Sequence, residues 1–449
     1  MLLAFIALLI PMALALTALR RVSPAGNLSL QLSGSVLLGL VIGGWLVWLT
    51  FEVPYGLWIG LLTLVLLRLG LLRCRSRAQA ASRASLLGLL LVLMVVLARS
   101  FPAALDLLWQ PVHAWDAYNV WTLRAKVWFG LNDWVTFARQ AEYLAASPGS
   151  VHYSAAAHYP LLPSLIQLFS ATAAGEWTDN LSLLPWIFFL PALALALNGL
   201  LERAQLALTV RLAAVYVLIS IPLLQAHVAH AGYADLLLCV AVLLAMSHWL
   251  QFANTRVRQD LYLALAFTAL WPLIKLDGWL WMACLVAALA LLYAPPKLLL
   301  VLWGLLIIGV LLLFQGTSVQ MRLGPLGVLE LSREAIQLPG MTRYTLGFRN
   351  SLGPLIDTLF WHASWNVWFW IAPLLSILAL KHWLKTPGTR LLLVFLVFGA
   401  LSFVGLFSFT SAAEFAETAT ASNRLLMPLV TVWIALLGLS FSTYAAARQ

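Results

Sequence analysis

Charged residues are scarce in this chain. Asp, Glu, Lys and Arg together make up 9% of its 449 residues, whereas soluble domains carry about 25%. Such a composition excludes an ordinary soluble globular protein. Hydrophobic residues reach 63%, and they recur in runs close to the roughly 20 residues that a helix needs to cross a bilayer. The sequence therefore predicts an all-α polytopic membrane protein.

Cysteines are few, and the common nucleotide and hydrolase motifs are absent. The three cysteines, Cys74, Cys239 and Cys284, stand far apart and form no CxxC pair, which argues against a disulfide framework and a zinc knuckle. No P-loop, GxGxxG after a strand, HExxH or GxSxG occurs, so nothing supports nucleotide hydrolysis. The net charge of +10 comes from short basic clusters between apolar runs, which indicates membrane topology and not nucleic-acid binding.

Apolar runs predict about thirteen transmembrane helices. We expect them near residues 2–18, 29–50, 54–72, 84–105, 181–200, 206–225, 233–252, 259–275, 278–294, 298–315, 361–380, 391–409 and 424–445. They suggest three regions. An N-terminal accessory region of three spans covers 1–83, a catalytic module covers 84–294 and includes a large loop at 106–180, and a C-terminal region covers 295–449 with a second loop at 316–360.

Basic residues are distributed unevenly between the two sides of the membrane. Fifteen of the 26 basic residues fall on one side, mostly in short loops, and the positive-inside rule makes this side cytoplasmic. They are Arg20, Arg21, Arg73, Arg75, Arg77, Arg83, Arg203, Arg211, Arg256, Arg258, Lys297, Lys381, Lys385, Arg390 and Arg448. Eleven of the sixteen acidic residues lie in loops on the opposite side. We therefore expect the polar chemistry to face outward.

The two long outward loops carry further patterns. Long ordered loops are usually functional, so 106–180 is the first place to look. Its segment "HYPLLPSLIQLFSATAAGEW" is apolar for only about fifteen residues from Tyr159, too short to cross, and predicts a re-entrant or interfacial helix. In the second loop, "LGVLELSREAIQL" predicts an amphipathic helix with a solvated charged face.

The stretch "HAWDAYNVWTLRAKVWF" (113–129) combines aromatic and charged residues. In an α-helix, successive side chains are rotated by about 100° around the helix axis. One arc then holds Tyr118, Trp121, Trp128 and Phe129. A second arc holds Asp116, Asn119 and Lys126, with Arg124 beside Asp116. This division predicts a helix lying flat in the membrane interface, with its aromatic arc toward lipid and its polar arc toward protein and water; a plain interfacial anchor is the alternative.

Other polar residues are expected at the same depth. They are His158, Tyr159, His227, His230, Asp235, Lys275, Asp277, Glu414, Glu417 and Arg424. Charges in or near membrane spans are usually paired or functional, because burying them in lipid is costly. We therefore expect these segments to converge with the 113–129 helix on one outward cavity.

Simpler readings of individual residues stay open at this point. His227 and His230, spaced i and i+3 near Asp235, suit a metal, although satisfied interfacial histidines are the simpler interpretation. Lys275 and Asp277 can just neutralise each other. Arg424 can be an anchor at a helix start, or it can grip a phosphate with two N–H groups.

Several motifs together resemble bacterial members of the glycosyltransferase C superfamily. They are "WDAYNVWTLRAKVWF" after a span, "HYPLLPSLIQLFSATAAGEW", "HAGYADLLLCVAVLLA", "LWPLIKLDGWLWMACLVA" and the terminal "SNRLLMPLV". Within that superfamily, the motifs resemble those of lipopolysaccharide-modifying and protein O-mannosyltransferase-like enzymes. The resemblance implies an inner-membrane enzyme with a periplasmic active site that takes a sugar from a polyprenyl-phosphate carrier. It also implies an acidic residue in the first large external loop, which falls on Asp116.

The residue types fit an inverting transfer of a single sugar. A glycosyl phosphate already contains a leaving group, so one base suffices, and we assign that role to Asp116. Donor phosphate is expected to bind Lys126, Arg124, Lys275 and Arg424. Further substrate contacts are assigned to Asn119, His158, Tyr159, His230, Asp235, Asp277 and Glu417.

The expected partners are the polyprenyl-phosphate-linked donor, a periplasmic glycan, lipid or protein acceptor, and membrane lipids, with no nucleic acid. No cofactor is required by the sequence, and a divalent metal lacks a supporting motif. Two alternatives remain open. One is a transporter or flippase of a lipid-linked or small polar solute. The other is an O-antigen ligase or oligosaccharyltransferase that moves a preassembled glycan.

Overall fold

The computed structural model describes residues 1–23, 27–73, 83–322, 328–337 and 343–441. Two basic stretches on which the expected orientation partly depends, 74–82 and 442–449, lie outside these residues. The described chain is mostly helical. Its first helices are α1 (Leu2–Val22), α2 (Leu28–Thr50), α3 (Gly56–Arg73) and α4 (Arg83–Trp109).

The first long loop is largely structured. It contains a π-helical turn (Ala117–Thr122), α5 (Leu123–Leu131), β1 (Phe137–Ala138), α6 (Gln140–Ala145), β2 (His152–Tyr153), α7 (Leu162–Ala174) and α8 (Asp179–Leu183). Strands β1 and β2 pair in parallel. The predicted helix after Tyr159 is α7, which begins at Leu162 and has 13 residues. Most of its side chains are buried, because it packs against α1, α2 and α5.

The central helices follow without long connections. They are a 3-10 turn (Leu184–Phe188), α9 (Phe189–Arg203), α10 (Leu208–Ile219), α11 (Pro222–Ala229), α12 (Asp235–Thr255), α13 (Arg258–Ala269), α14 (Trp271–Ile274), α15 (Asp277–Tyr293) and α16 (Pro296–Phe314). Helix α12 lies at the centre of the core, packed by α2, α9, α13, α19 and α21, the last two being Pro387–Phe409 and Ser422–Leu439. Its side chains are almost all apolar or small, which suits a helix surrounded by protein.

The second long loop forms a four-stranded antiparallel sheet where an amphipathic helix was predicted. The strands are β3 (Val319–Arg322), β4 (Val328–Leu331), β5 (Ala335–Gln337) and β6 (Tyr344–Thr345). The described part of "LGVLELSREAIQL" is the β4–β5 hairpin, with Leu331 opposite Ile336. The helix prediction was wrong because a short apolar pattern fits either period, and pairing with β3 and β6 decides between them.

The C-terminal region returns to helices. It contains α17 (Leu352–Ile356), a π-helical turn (Asp357–Trp361), a 3-10 turn (Ala363–Trp365), α18 (Trp368–Trp383), α19 (Pro387–Phe409), α20 (Ala413–Glu417) and α21 (Ser422–Leu439). Within the described residues, eight helical segments are long and apolar enough to cross a membrane, and the pair α10–α11, bent by 62°, would make a ninth. These lengths are consistent with a multi-pass helical membrane protein.

Candidate functional site

Five charged side chains meet where α12, α15 and α21 begin. Lys275 Nζ lies 2.8 Å from Asp235 Oδ1 and 2.6 Å from Asp277 Oδ2. Arg424 Nη1 lies 2.5 Å from Asp116 Oδ2. The two groups are close enough for the charge of Arg424 to act on both Asp235 and Lys275. We refer to these five residues as the charge cluster.

The charge cluster has a buried side and an accessible side. Asp235 and Lys275 are buried, whereas the side chains of Asp116 and Asp277 are 24% and 31% exposed. The aligned peptide dipoles of a helix place partial positive charge at its N-terminus, so the starts of α12, α15 and α21 favour anionic groups here. The accessible side therefore combines two carboxylates with a guanidinium and the starts of three helices.

Asp116 is placed by the turn that follows it. Arg124, one turn further, is buried and donates from Nε to Val120 O at 3.0 Å and from Nη1 to Tyr159 O at 2.9 Å. On the opposite side, Gly232 adopts a φ of +100°, and a Cβ there would lie 2.7 Å from the Cβ of Ala117. Only glycine fits this close approach without strain. The 232 backbone is therefore pressed against the turn that carries Asp116.

Lys275 is placed by a break between two helices. Helix α14 ends at Ile274, Lys275 is extended with φ −151° and ψ 150°, and α15 begins at Asp277. Gly278 allows the chain to fold back, because a Cβ there would lie 2.1 Å from the carbonyl oxygen of Trp271. This break lets Lys275 contact both Asp235 and Asp277.

Arg424 is held from several directions. Its neighbour Asn423 accepts a hydrogen bond from Trp365 Nε1 at 2.9 Å, which fixes the start of α21. The guanidinium carbon lies 4.7 Å from the ring centroid of Tyr233. Although Nη1 is close to Asp116, the buried Nη1 and Nε atoms of this partly exposed side chain are not aligned with an acceptor anywhere in the described part of the chain. Arg424 thus keeps donor capacity for an oxygen-rich ligand.

Buried Asp235 also faces a histidine. His227 Nε2 lies 4.0 Å from Asp235 Oδ2, which is too far for a direct hydrogen bond. The other ring nitrogen, Nδ1, lies 2.8 Å from Leu223 O, so the ring orientation is set by its own helix.

Two tyrosines from the long loops border the charge cluster. Tyr159 follows β2, and burial together with the charge of Asp277 raises its pKa to about 12. Tyr344 lies on β6, and burial and the same carboxylate raise its pKa as well. The 106–180 loop and the second-loop sheet therefore both reach the accessible side.

The structure thus brings together Asp116, Tyr159, Asp235, Lys275, Asp277 and Arg424 of the predicted site residues. Arg124 does not agree with its predicted phosphate-binding role, because its Nε, Nη1 and Nη2 all donate to carbonyl oxygens. Burial lowers the pKa of Arg124 to about 10. It fastens the Asp116 helix to the chain at Tyr159 and Pro160.

The remaining predicted residues have other surroundings. Lys126 is half exposed and lies 3.7 Å from Asp179, and Asn119 donates to Trp115 O at 3.0 Å. His230 is largely exposed and packs edge-on against His113, and partial desolvation together with the charge of His113 lowers its pKa. Glu417 is exposed on α20. None of these contacts links the four residues to the charge cluster within the described chain.

His158 is a separate case. Both ring nitrogens are buried with no aligned hydrogen-bond partner among the described residues. Burial first, and then the charges of Arg139 and Arg124, lower its pKa to about 4. The ring packs against Tyr159 at a centroid distance of 5.1 Å, so His158 borders the site through that tyrosine.

The predicted division of the 113–129 helix into two arcs was wrong. Trp121 and Trp128, which were expected to face lipid, are buried in protein, whereas Tyr118 of the same arc is 48% exposed. A π-helical turn adds a residue to each turn, so the phase computed for an α-helix no longer holds beyond Ala117. The face of the helix that carries Trp121 and Trp128 is therefore part of the protein core.

The predicted metal alternative finds no group of ligands. Across residues 1–23, 27–73, 83–322, 328–337 and 343–441, no three His, Cys, Asp or Glu side chains are arranged to hold a metal ion. His227 faces Asp235, but His230 turns toward His113. Chemistry at the charge cluster is therefore argued from its own side chains.

Comparison with known proteins is negative throughout. No family model, no curated protein and no solved structure matches this chain.

Sequence reasoning did not assign roles to Tyr233 and Tyr344. Tyr233 lies inside the quoted motif "HAGYADLLL", and its position two residues before Asp235 was the available signal. Tyr344 lies on the two-residue strand β6, and only the pairing of β6 with β5 brings it near Asp277. No pattern in the sequence indicated that pairing.

Proposed function

We propose that this protein is an inverting glycosyltransferase that moves a single sugar from a polyprenyl-phosphate carrier to a periplasmic acceptor. The observation that carries the proposal is the Asp116–Arg424 ion pair on the accessible side of the charge cluster, 2.5 Å between Oδ2 and Nη1. It sets a candidate base beside a candidate phosphate ligand. The expected thirteen spans, the inner-membrane location and the periplasmic orientation belong to the same proposal.

The chemistry needs one base and one anion site. An acceptor hydroxyl attacks the anomeric carbon, the bond from that carbon to the phosphate oxygen breaks, and polyprenyl phosphate leaves with the electron pair. Asp116 takes the hydroxyl proton. Attack from the face opposite the phosphate inverts the anomeric carbon. Arg424 compensates the charge that grows on the departing phosphate, with the starts of α12, α15 and α21 adding to the positive potential.

Donor binding and base activation are coupled in this arrangement. In the structure, Arg424 lies against Asp116, so an arriving donor phosphate competes with the carboxylate for the guanidinium. When the phosphate replaces Asp116 as the ion-pair partner of Arg424, the Asp116 carboxylate can accept a proton. Lys275 stays paired with Asp235 and Asp277 and holds the positions of these acids. Arg424 is therefore the main phosphate ligand in this proposal, and Lys275 a supporting charge.

The test is sugar transfer by the purified full-length protein in nanodiscs. A panel of polyprenyl-phosphate sugars is offered with cell-envelope extract as acceptor, and released polyprenyl phosphate and glycosylated product are quantified. We expect Asp116→Asn to lower kcat by about 100-fold or more, in the range of general-base loss. Asp133→Asn is the matched control, because Asp133 is exposed in the same loop. Full turnover by folded Asp116→Asn protein would remove Asp116 from the mechanism.

A transporter of a lipid-linked or polar solute is the second candidate. The specific observation is that α14 and α15 are separated at Lys275 of the charge cluster, and that α11, whose His227 faces Asp235, is bent by 62° from α10. Discontinuous helices with charges at the break are common at transporter binding sites. Uptake of solute into proteoliposomes without any sugar transfer from the donor panel would favour this candidate over the enzyme.

A further inference from the structure

Tyr233 and Asp116 both contact the Arg424 guanidinium. The guanidinium carbon lies 4.7 Å from the Tyr233 ring centroid, and Nη1 lies 2.5 Å from Asp116 Oδ2. The Tyr233 hydroxyl approaches the backbone of Asp116. The cation is therefore in contact with an aromatic face and with a carboxylate.

The Tyr233 ring is fixed by groups other than Arg424. The backbone carbonyl oxygen of Tyr233 accepts a hydrogen bond of 2.8 Å from Trp186 Nε1, and Trp186 is fully buried. Its ring packs against His227 at a centroid distance of 5.2 Å, and Gly232 before it is pressed against Ala117. The ring position is thus set by the core, so it does not depend on the ion pair.

We infer that Tyr233 is a positioning residue, whose ring holds the Arg424 guanidinium in place while Arg424 exchanges Asp116 for the phosphate of the donor. This inference rests on the proposed function. A cation over an aromatic face keeps a favourable contact when its carboxylate partner leaves. A guanidinium held in this way also loses little freedom when it binds phosphate, which favours affinity.

The exchange keeps one anionic partner on Arg424 and offers phosphate oxygens to two of its N–H donors. A carboxylate and a glycosyl phosphodiester each carry one negative charge, so Arg424 is paired with one anion before and after the exchange. Arg424 Nε and Nη1 have no aligned acceptor within the described residues, and phosphate oxygens suit such a pair of donors. The ring of Tyr233 supplies no acceptor that would compete with them.

The first experiment measures binding of polyprenyl monophosphate and the donor dependence of turnover, both in nanodiscs. Tyr233→Leu removes the ring, whereas Tyr233→Phe keeps it. We expect Tyr233→Leu to raise the Kd for polyprenyl monophosphate and the KM for donor by about three- to thirty-fold, the range of a cation–π contact. Tyr233→Phe should stay within about twofold of the wild type by the same reasoning. Tyr262→Leu is the control, because Tyr262 is 60% exposed on α13.

A double-mutant cycle separates this role from a general packing defect. If Tyr233 acts through Arg424, Tyr233→Leu should change Kd little when Arg424 is already Gln, because residues in contact are not additive. Equal effects of Tyr233→Leu with Arg424 present and absent would overturn the inference. Unchanged Kd and KM in a folded Tyr233→Leu protein would overturn it as well.

Chemical labelling of Arg424 without ligand tests the positioning role when the natural donor is not known. Phenylglyoxal modifies accessible arginines, and mass spectrometry reports the labelling of the peptide that contains Arg424. We expect faster labelling in Tyr233→Leu and wild-type labelling in Tyr233→Phe, because only the former uncovers the guanidinium. Wild-type protein that binds no polyprenyl monophosphate would overturn the proposed function, whereas unchanged labelling in Tyr233→Leu would overturn the positioning role alone.

Discussion

Replacing Gly232 by alanine tests the packing that places Asp116. The added Cβ would lie 2.7 Å from the Cβ of Ala117 and 3.2 Å from Leu183 Cδ2. To restore ordinary contact at 3.4 Å, Ala117 would have to move by about 0.7 Å. A residue with a side chain at a φ of +100° is also strained. Strain costs about 1–3 kcal/mol and overpacking about the same, so we expect a loss of about 2–6 kcal/mol.

We also expect Gly232→Ala to lower the rate of sugar transfer strongly, because Ala117 directly follows Asp116. A displacement approaching 1 Å in an active site can lower the rate about a hundred-fold. Thermal unfolding of the detergent-solubilised protein, followed by tryptophan fluorescence, measures the first effect, and sugar transfer measures the second. Gly130→Ala is the matched control on α5, because nothing lies within 4 Å of its added Cβ.

A compensating substitution sharpens this test. Ala117→Gly removes the atom that the new Cβ would meet, so it should recover the overpacking part of the loss in Gly232→Ala, while the backbone strain remains. If Gly232→Ala unfolds at the same temperature as Gly130→Ala and keeps full activity, the close approach of the 232 backbone to the Asp116 turn is refuted.

Three further predictions concern residues of the first long loop. Arg124→Lys should lower the free energy of unfolding by about 2–4 kcal/mol. The reason is that one ammonium cannot donate to the carbonyl oxygens of Val120, Tyr159 and Pro160 as the guanidinium does. An unchanged denaturation midpoint would contradict this. Lys126→Ala should leave the Kd for polyprenyl monophosphate unchanged and alter stability by less than about 1 kcal/mol, since Lys126 is half exposed and its contact with Asp179 is long, at 3.7 Å. Weakened binding would restore its predicted phosphate role. The pKa of His158 is lowered from 6.5 to about 4, so the unfolded chain binds the extra proton between these values and stability should fall as the pH drops from 6.5 toward 4. Unfolding midpoints across that range should be flatter in His158→Gln, and an identical slope would contradict the assignment.

Local patterns predicted some elements well and others poorly. The apolar runs gave helices close to their expected positions, because a bilayer-length apolar segment has few alternatives to a helix. The 113–129 segment is helical, but its π-helical turn changed which side chains face the core. The short pattern at 328–337 folded as strands because β3 and β6, from the same loop, were available as pairing partners. Periodicity contains no information about either a π-helical turn or a strand partner.

By itself, the sequence determined the mostly helical membrane character of the chain and the positions where charges interrupt apolar helices. These follow from the cost of exposing polar groups to lipid, which acts on each segment separately. Only the tertiary structure decided which charges meet. It paired Arg424 with Asp116 and placed Lys275 between Asp235 and Asp277. It also directed Arg124 to backbone carbonyl oxygens of its own loop. These pairings depend on how helices far apart in sequence pack, because side chains meet only where the packed backbone brings them within contact distance.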